Sequence, residues 1–185
     1  LRDIRHQQIG DGVGIRADSG SGFTGLITNN VVYANTNQGV LLIGANGGRV
    51  VNNTIYQSVG EAVRFDTSPN LLLRGNILWT DSGTAIYVTS NSQSGFNSNY
   101  NLIYRGGTGA SVGFWNSAAR TLLADWQSAS SQDANSLSTN PLFVDIDGVD
   151  NVLGYSTAGP GYDGGLDDDF QLQANSPAID RGDSF

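Results

Sequence analysis

The chain has 185 residues, of which 38% are hydrophobic and 14% charged, with 25 Gly, 4 Pro and no Cys. It is too apolar to stay disordered and long enough for one domain with a core, and it offers no disulfide framework and no thiolate metal site. All nine basic residues are Arg, with no Lys, against 17 acidic ones, so no basic patch exists to make the phosphate contacts that drive nucleic-acid binding.

No apolar run approaches the roughly 20 residues that span a bilayer, so no membrane span is expected. The chain starts without an initiator Met or a signal peptide, which reads as an internal fragment or a processed chain. Charge divides unevenly. Residues 1–140 balance eight Asp or Glu against eight Arg, whereas residues 141–185 carry nine Asp against Arg181 alone, so the whole net charge of −8 is C-terminal.

In chain order, a pattern of Asn, any residue, aliphatic, aromatic recurs as "NVVY" (30–33), "NTIY" (53–56), "NILW" (76–79) and "NLIY" (101–104), with steps of 23, 23 and 25 residues between the asparagines Asn30, Asn53, Asn76 and Asn101. A second strand column accompanies it: "GVLLI" (39–43), "EAVRF" (61–65), "TAIYV" (84–88) and "ASVGF" (110–114), with "GVGI" (12–15) as an earlier member. Two phase-locked strands per period of this length predict a parallel β-coil whose turns stack about 4.8 Å apart.

Stacking explains why asparagine, a poor strand former, sits before each strand. At one stacked position each amide hydrogen-bonds the next and the bend backbone, forming a ladder, and Asn also tolerates a left-handed bend. Beside the ladder run an aliphatic column (Val32, Ile55, Leu78, Ile103) and an aromatic column (Tyr33, Tyr56, Trp79, Tyr104).

On these repeats, residues 10–116 resemble the right-handed parallel β-helix of the pectate-lyase-like superfamily. The stretch "TLLADWQSASSQDANSLSTNPLFVD" (121–145) and "DDDFQLQANSPAIDRGD" (167–183) are similar to the segment that closes the coil in a group of secreted bacterial β-helix proteins. The resemblance implies an all-β fold of about five coils over residues 1–116 and a location outside the cell or on its surface. Residues 117–185 are then the cap and acidic closing segment of the same domain. A solenoid end needs a cap. Ser117 is expected to N-cap a short helix with Ala119, Leu122, Leu123 and Trp126 on one face, followed by short strands at 141–144 and 170–172 and an anchor at Pro177, Ala178 and Ile179.

Alternation in the second column sends Leu41, Ile43, Val63, Phe65, Ile86, Val88, Val112 and Phe114 inward. One outward column then holds Leu42, Arg64 and Tyr87, and its neighbour holds Arg16, Gly44, Asp66, Thr89 and Trp115. Arg16, Arg64, Asp66, Tyr87 and Trp115 thus form a candidate carbohydrate-binding strip for a polysaccharide or cell-surface glycan, offering aromatic rings and guanidinium groups on a rigid surface. The plainer reading pairs Arg64 with Asp66 locally.

No acid/base set is visible: the carboxylates of the coils are scattered, and His6, the single histidine, has no nominated partner. The function readings are therefore a noncatalytic structural, adhesive or carbohydrate-binding module, or the C-terminal part of a polysaccharide-active enzyme with its catalytic rungs upstream. In the acidic segment, Asp145, Asp147, Asp150, Asp163, Asp167, Asp168 and Asp169 surround Gly-containing loops and are candidate ligands for a structural Ca2+. Turn capping is the other use for such residues. The "RGDS" run (181–184) is taken as chance, and the "NNT" acceptor pattern (52–54) as blocked by the ladder.

Overall fold

The structure, a computed structural model, describes residues 2–3, 12–18, 23–156 and 161–182. A short strand β1 (Arg2–Asp3) precedes a first coil of β2 (Val13–Asp18), β3 (Leu26–Thr28) and β4 (Asn30–Val32). The second coil is β5 (Gln38–Ile43), β6 (Arg49–Val51) and β7 (Thr54–Gln57). The third is β8 (Glu61–Asp66), β9 (Leu72–Arg74) and the first half of β10 (Ile77–Val88). The second half of β10, β11 (Asn97–Asn99) and the first half of β12 (Leu102–Trp115) make the fourth, and the rest of β12 starts a fifth. Equivalent strands stack in parallel: β2, β5, β8, β10 and β12 on one face, β3, β6, β9 and β11 on the second, and β1, β4, β7, β10 and β12 on the third.

The corner between the second and third faces divides its labour between two residues. Asn29, Asn52, Gly75 and Tyr100 all take the left-handed conformation, with φ of 58°, 56°, 65° and 57°, and the residue after each is a ladder asparagine. The bend therefore belongs to the position before the ladder. The ladder amides are free to point inward, where the Nδ2 of Asn30, Asn53 and Asn76 donates to the Oδ1 of the next rung at 2.9, 3.0 and 3.0 Å. The same Oδ1 atoms accept the backbone N–H of the preceding ladder residue at 3.1, 3.0 and 3.0 Å. Asn53, Asn76 and Asn101 are 1–2% exposed, so these bonds satisfy groups that would otherwise be buried unpaired.

Two glycines are demanded by stacking at another corner. Gly60 and Gly83 have φ of +80° and +115°, and a Cβ at either would collide with the carbonyl oxygen of the rung below, that of Asn37 or Gly60. Between the corners the core is a set of columns: Val40, Val63 and Ile86; Leu42, Phe65 and Val88; and Ile55, Leu78 and Ile103, all fully buried.

The first of these columns corrects the expected facing of the second strand. β5 pairs with β8 at an offset of 23 residues (Val40 with Val63) and β10 with β12 at 27 in this part (Tyr87 with Phe114), whereas the stretches matched by sequence pattern are 22 and 26 residues apart. A shift of one residue reverses every side chain. Leu42 is therefore core, Leu41 shares the Arg64 column, and Phe114 faces outward. The offset of 27 arises because the register slips between Thr80 and Ser82, where β12 carries the extra residues around Gly106 and Gly107.

The cap also departs from expectation. Asn116 and Ser117 both have positive φ (51° and 59°), the pair of left-handed residues that makes a tight two-residue hairpin turn. Ser117 is thus a turn residue, and β13 (Ala118–Arg120) runs back antiparallel on β12. The helix α1 (Leu123–Ser130) starts later, with the Asp125 carboxylate accepting the Leu122 N–H at 3.1 Å. Leu122 is 52% exposed, so the buried face rests on Trp126, fully enclosed above Gly113.

Below the helix the asparagine ladder ends on Asp133, 1% exposed. Its Oδ1 accepts from Asn101 Nδ2 at 2.9 Å and Ser136 Oγ at 2.6 Å, and its Oδ2 accepts from Trp126 Nε1 at 2.8 Å. One carboxylate joins the last rung to the cap. The closing strands β14 (Phe143–Asp145) and β17 (Asp169–Leu172) pair antiparallel and bring Phe143 and Phe170 onto the aromatic column, against Trp79 (5.9 Å between ring centroids) and Tyr33 (4.7 Å). A smaller hairpin, β15 (Tyr155–Ser156) with β16 (Tyr162–Asp163), lies between them in the chain. The expected terminal anchor is displaced by one residue: Ile179 is 41% exposed, and the buried Ser176 bonds the Pro141 carbonyl at 2.5 Å.

Replacing Asn53 by Ala leaves the Asn30 amide groups without their acceptor and is expected to cost about 2–4 kcal/mol, read as a fall in the urea midpoint. Replacing the exposed Asn97 by Ala is expected to move it little. Asp133→Asn is expected to cost about 1–3 kcal/mol although it removes a buried charge, because either orientation of the new amide turns an NH2 toward a donor.

Candidate functional site

The outward face of β2, β5, β8, β10 and β12 carries one column of Arg16, Leu41, Arg64, Tyr87 and Phe114, set by strand register. The Arg64 guanidinium lies over the Tyr87 ring at 4.4 Å, and Tyr87 stacks on Phe114 with centroids 4.3 Å apart and planes 2° from parallel. The neighbouring column holds Asp18, Ile43 and Asp66, paired in the same registers. Arg16 bonds Asp18 at 2.7 Å, while Arg64 stands between Glu61 at 3.5 Å and Asp66 at 3.6 Å. Glu61 also accepts from Gln38 Nε2 at 2.7 Å.

Four of the five residues expected in a carbohydrate strip, Arg16, Arg64, Asp66 and Tyr87, are thus on this face, with Arg16 one column over from its expected place. Trp115 is not. It is 8% exposed and packs against Trp126 (5.6 Å) and Phe96 (5.9 Å) in the core, because the one-residue register difference turns it inward. Phe114, Gln38 and Glu61 are the members that sequence reasoning missed. The 23-residue step of the ladder, applied to Glu61, would have identified Gln38.

The Arg64 guanidinium is engaged by two carboxylates and a ring face, an arrangement that fixes its N–H groups as hydrogen-bond donors on this face. His6 and the Asp183–Ser184 end of the "RGDS" run lie outside the described residues. Asn52, expected to be crowded, is exposed.

In the acidic segment the carboxylates serve mostly as backbone acceptors. Asp167 Oδ2 accepts the N–H of Val149 (2.8 Å) and Asp150 (3.3 Å). Asp150 Oδ1 accepts that of Val152 (2.8 Å), Asp168 Oδ2 that of Gly154 (2.9 Å), and Asp169 Oδ1 that of Gln171 (2.8 Å). Asp145, Asp147 and Asp163 lie on the same segment, but among the described residues no three acidic or histidine side chains converge as a group able to hold a metal ion. The observed roles of Asp150, Asp167, Asp168 and Asp169 are those of turn-capping residues.

Burial raises the Asp168 carboxyl above its ordinary value, against the lowering effect of its bonds from the Gly154 N–H and the Tyr33 hydroxyl, and its Oδ1 is buried without a partner. Because the folded state holds this proton more tightly than the unfolded chain, the contribution to stability grows as pH falls through the raised pKa and is lost as pH rises through it. Asp168→Asn is expected to remove that component, making the melting temperature less dependent on pH from the ordinary carboxylate value near 4 upward. The check is a set of melting curves of both proteins across that interval.

Among the described residues no helix is long and apolar enough to cross a membrane. No curated protein and no solved structure matches the chain. The family model described as "Right handed beta helix region" matches residues 4–124, a stretch that takes in the coils, the asparagine ladder and the start of the cap. The chain belongs to the right-handed β-helix family.

Proposed function

We propose that the chain is a noncatalytic module, placed outside the cell or on its surface, that binds carbohydrate on the outward face of β2, β5, β8, β10 and β12. The observation that supports this reading best is Arg64 held between Glu61, Asp66 and the Tyr87 ring on a rigid sheet. Guanidinium, carboxylates and the Gln38 amide alternate there as donors and acceptors for hydroxyl groups, already oriented before a ligand arrives. The ring faces of Tyr87 and Phe114 cover one another, so the reading rests on polar recognition, with the aromatic stack serving to hold the strip in place.

The competing reading, a fragment of a polysaccharide-active enzyme, requires a proton acceptor next to the bound sugar. Arg64 is engaged by two carboxylates, and those of Glu61 and Asp66 are themselves paired with it, which favours the binding reading.

A polysaccharide panel, neutral and uronate, tests the proposal by affinity electrophoresis. The expected result is retardation by at least one polymer, weakened about tenfold or more by Arg64→Ala, which corresponds to about 1.4 kcal/mol, with no unsaturated products and no new reducing ends. Unsaturated products or new reducing ends from the intact chain would establish the enzyme reading instead. Binding by no polymer, or binding indifferent to Arg64→Ala, removes the strip as the carbohydrate site.

A further inference from the structure

The aromatic column is not covered along its whole length. An open groove of about 240 Å3 is lined by Trp79 of the third coil and by Asn140, Phe143, Asp145, Asp147 and Gln173 of the closing segment. It is built from two separate parts of the chain, held together by the contact of the Trp79 and Phe143 rings. Trp79 donates its indole N–H to Asp81 at 2.7 Å and lies parallel to Phe143, 7° between planes. Gln173 Nε2 donates to the Phe143 carbonyl at 2.9 Å, and Asn140 Oδ1 accepts the Leu142 N–H at 2.8 Å.

The groove is also electronegative. The ion pairs formed among the described residues use Asp18, Glu61 and Asp66, none of which lines it, whereas Asp145 and Asp147 do. The field reaches the neighbouring Tyr56, whose hydroxyl is held protonated well above the usual tyrosine range by burial, by its bond to Asp81 and by the charges of Asp81 and Asp147. A concave site with an aromatic wall and two carboxylates that lack a cationic partner among the described residues is complementary to one class of ligand.

We propose that this groove binds an organic cation, the guanidinium or ammonium group of a basic ligand, with Trp79 as its aromatic wall and Asp145 and Asp147 as its counter-ions. A sugar carboxylate is repelled here, and the groove shares no residue with the strip around Arg64, so each stands if the other fails. The cation has two natural sources, a basic peptide side chain and an amino sugar, and both present the same group to the two carboxylates.

The protein's own fluorescence provides the test. Of its three tryptophans, Trp115 and Trp126 are 8% and 0% exposed, so a ligand entering the groove changes the emission of Trp79. Titration of the intact chain with L-argininamide is expected to give a saturable change that its uncharged isostere citrullinamide does not give. The double variant Asp145→Asn, Asp147→Asn is expected to weaken it at least about tenfold. The control pair Asp163→Asn, Asp180→Asn makes the same change in net charge outside the groove and is expected to leave it unaltered. Saturation by glucosamine oligomers and not by argininamide supports the cation site and assigns it to an amino sugar. No saturable change with either probe, an equal response to citrullinamide, or equal weakening by both variant pairs would overturn the proposal.

Discussion

A single hydrogen-bond column organises this molecule. Asn53, Asn76 and Asn101 each contribute an acceptor that receives two N–H groups from the rung before, and a donor that reaches the residue after. Parallel strands supply only slanted, evenly spaced backbone bonds, which by themselves do not distinguish one register from the next. The buried amides do distinguish them, since a slip by one residue would place an amide among hydrocarbon and an aliphatic side chain at a polar corner. With that corner fixed, the columns of Val, Leu, Ile and Phe on either side fall into line.

The same column explains how the solenoid ends. A further asparagine at the last rung would leave its NH2 group in need of another acceptor, and the repeat would have no natural stop. Asp133 accepts from three donors at once and offers none, so it terminates the ladder and ties the terminal bond to Trp126, the residue that seals the core. Cap and coil therefore share an energetic unit, which accounts for a helix of only eight residues holding its place with so little apolar surface of its own. The closing strands use a different contact, Phe143 and Phe170 against the aromatic column, and that contact creates the groove beside Trp79.

Much of this was legible in the sequence, and the reasons for the rest are physical. The ladder was readable because Asn30, Asn53, Asn76 and Asn101 repeat with a chemically unusual residue, and polar residues stacked in a core allow few explanations. The second strand column was harder. In "GVLLI" both faces are aliphatic, so Leu41 and Leu42 look alike, and only the 23-residue step of the ladder separates them. The insertion around Gly106 and Gly107 then moved Phe114 outward and Trp115 inward. Ser117 read as a helix cap because Asn-Ser serves equally well as a left-handed turn. The backbone N–H groups that Asp150, Asp167 and Asp168 face in the closing segment are revealed by no linear pattern.

The account turns on the ladder amides being locked until the coil itself opens, and side-chain amide hydrogen exchange in the 15N-labelled protein measures that directly. The account predicts that the Nδ2 protons of Asn53, Asn76 and Asn101 exchange only on global unfolding, as slowly as the backbone amides of Val63 and Phe65, while those of the exposed Asn97 exchange at the rate of free asparagine. Exchange of the three ladder amides at a rate close to that of Asn97 would show that the column is not what holds the coils in register.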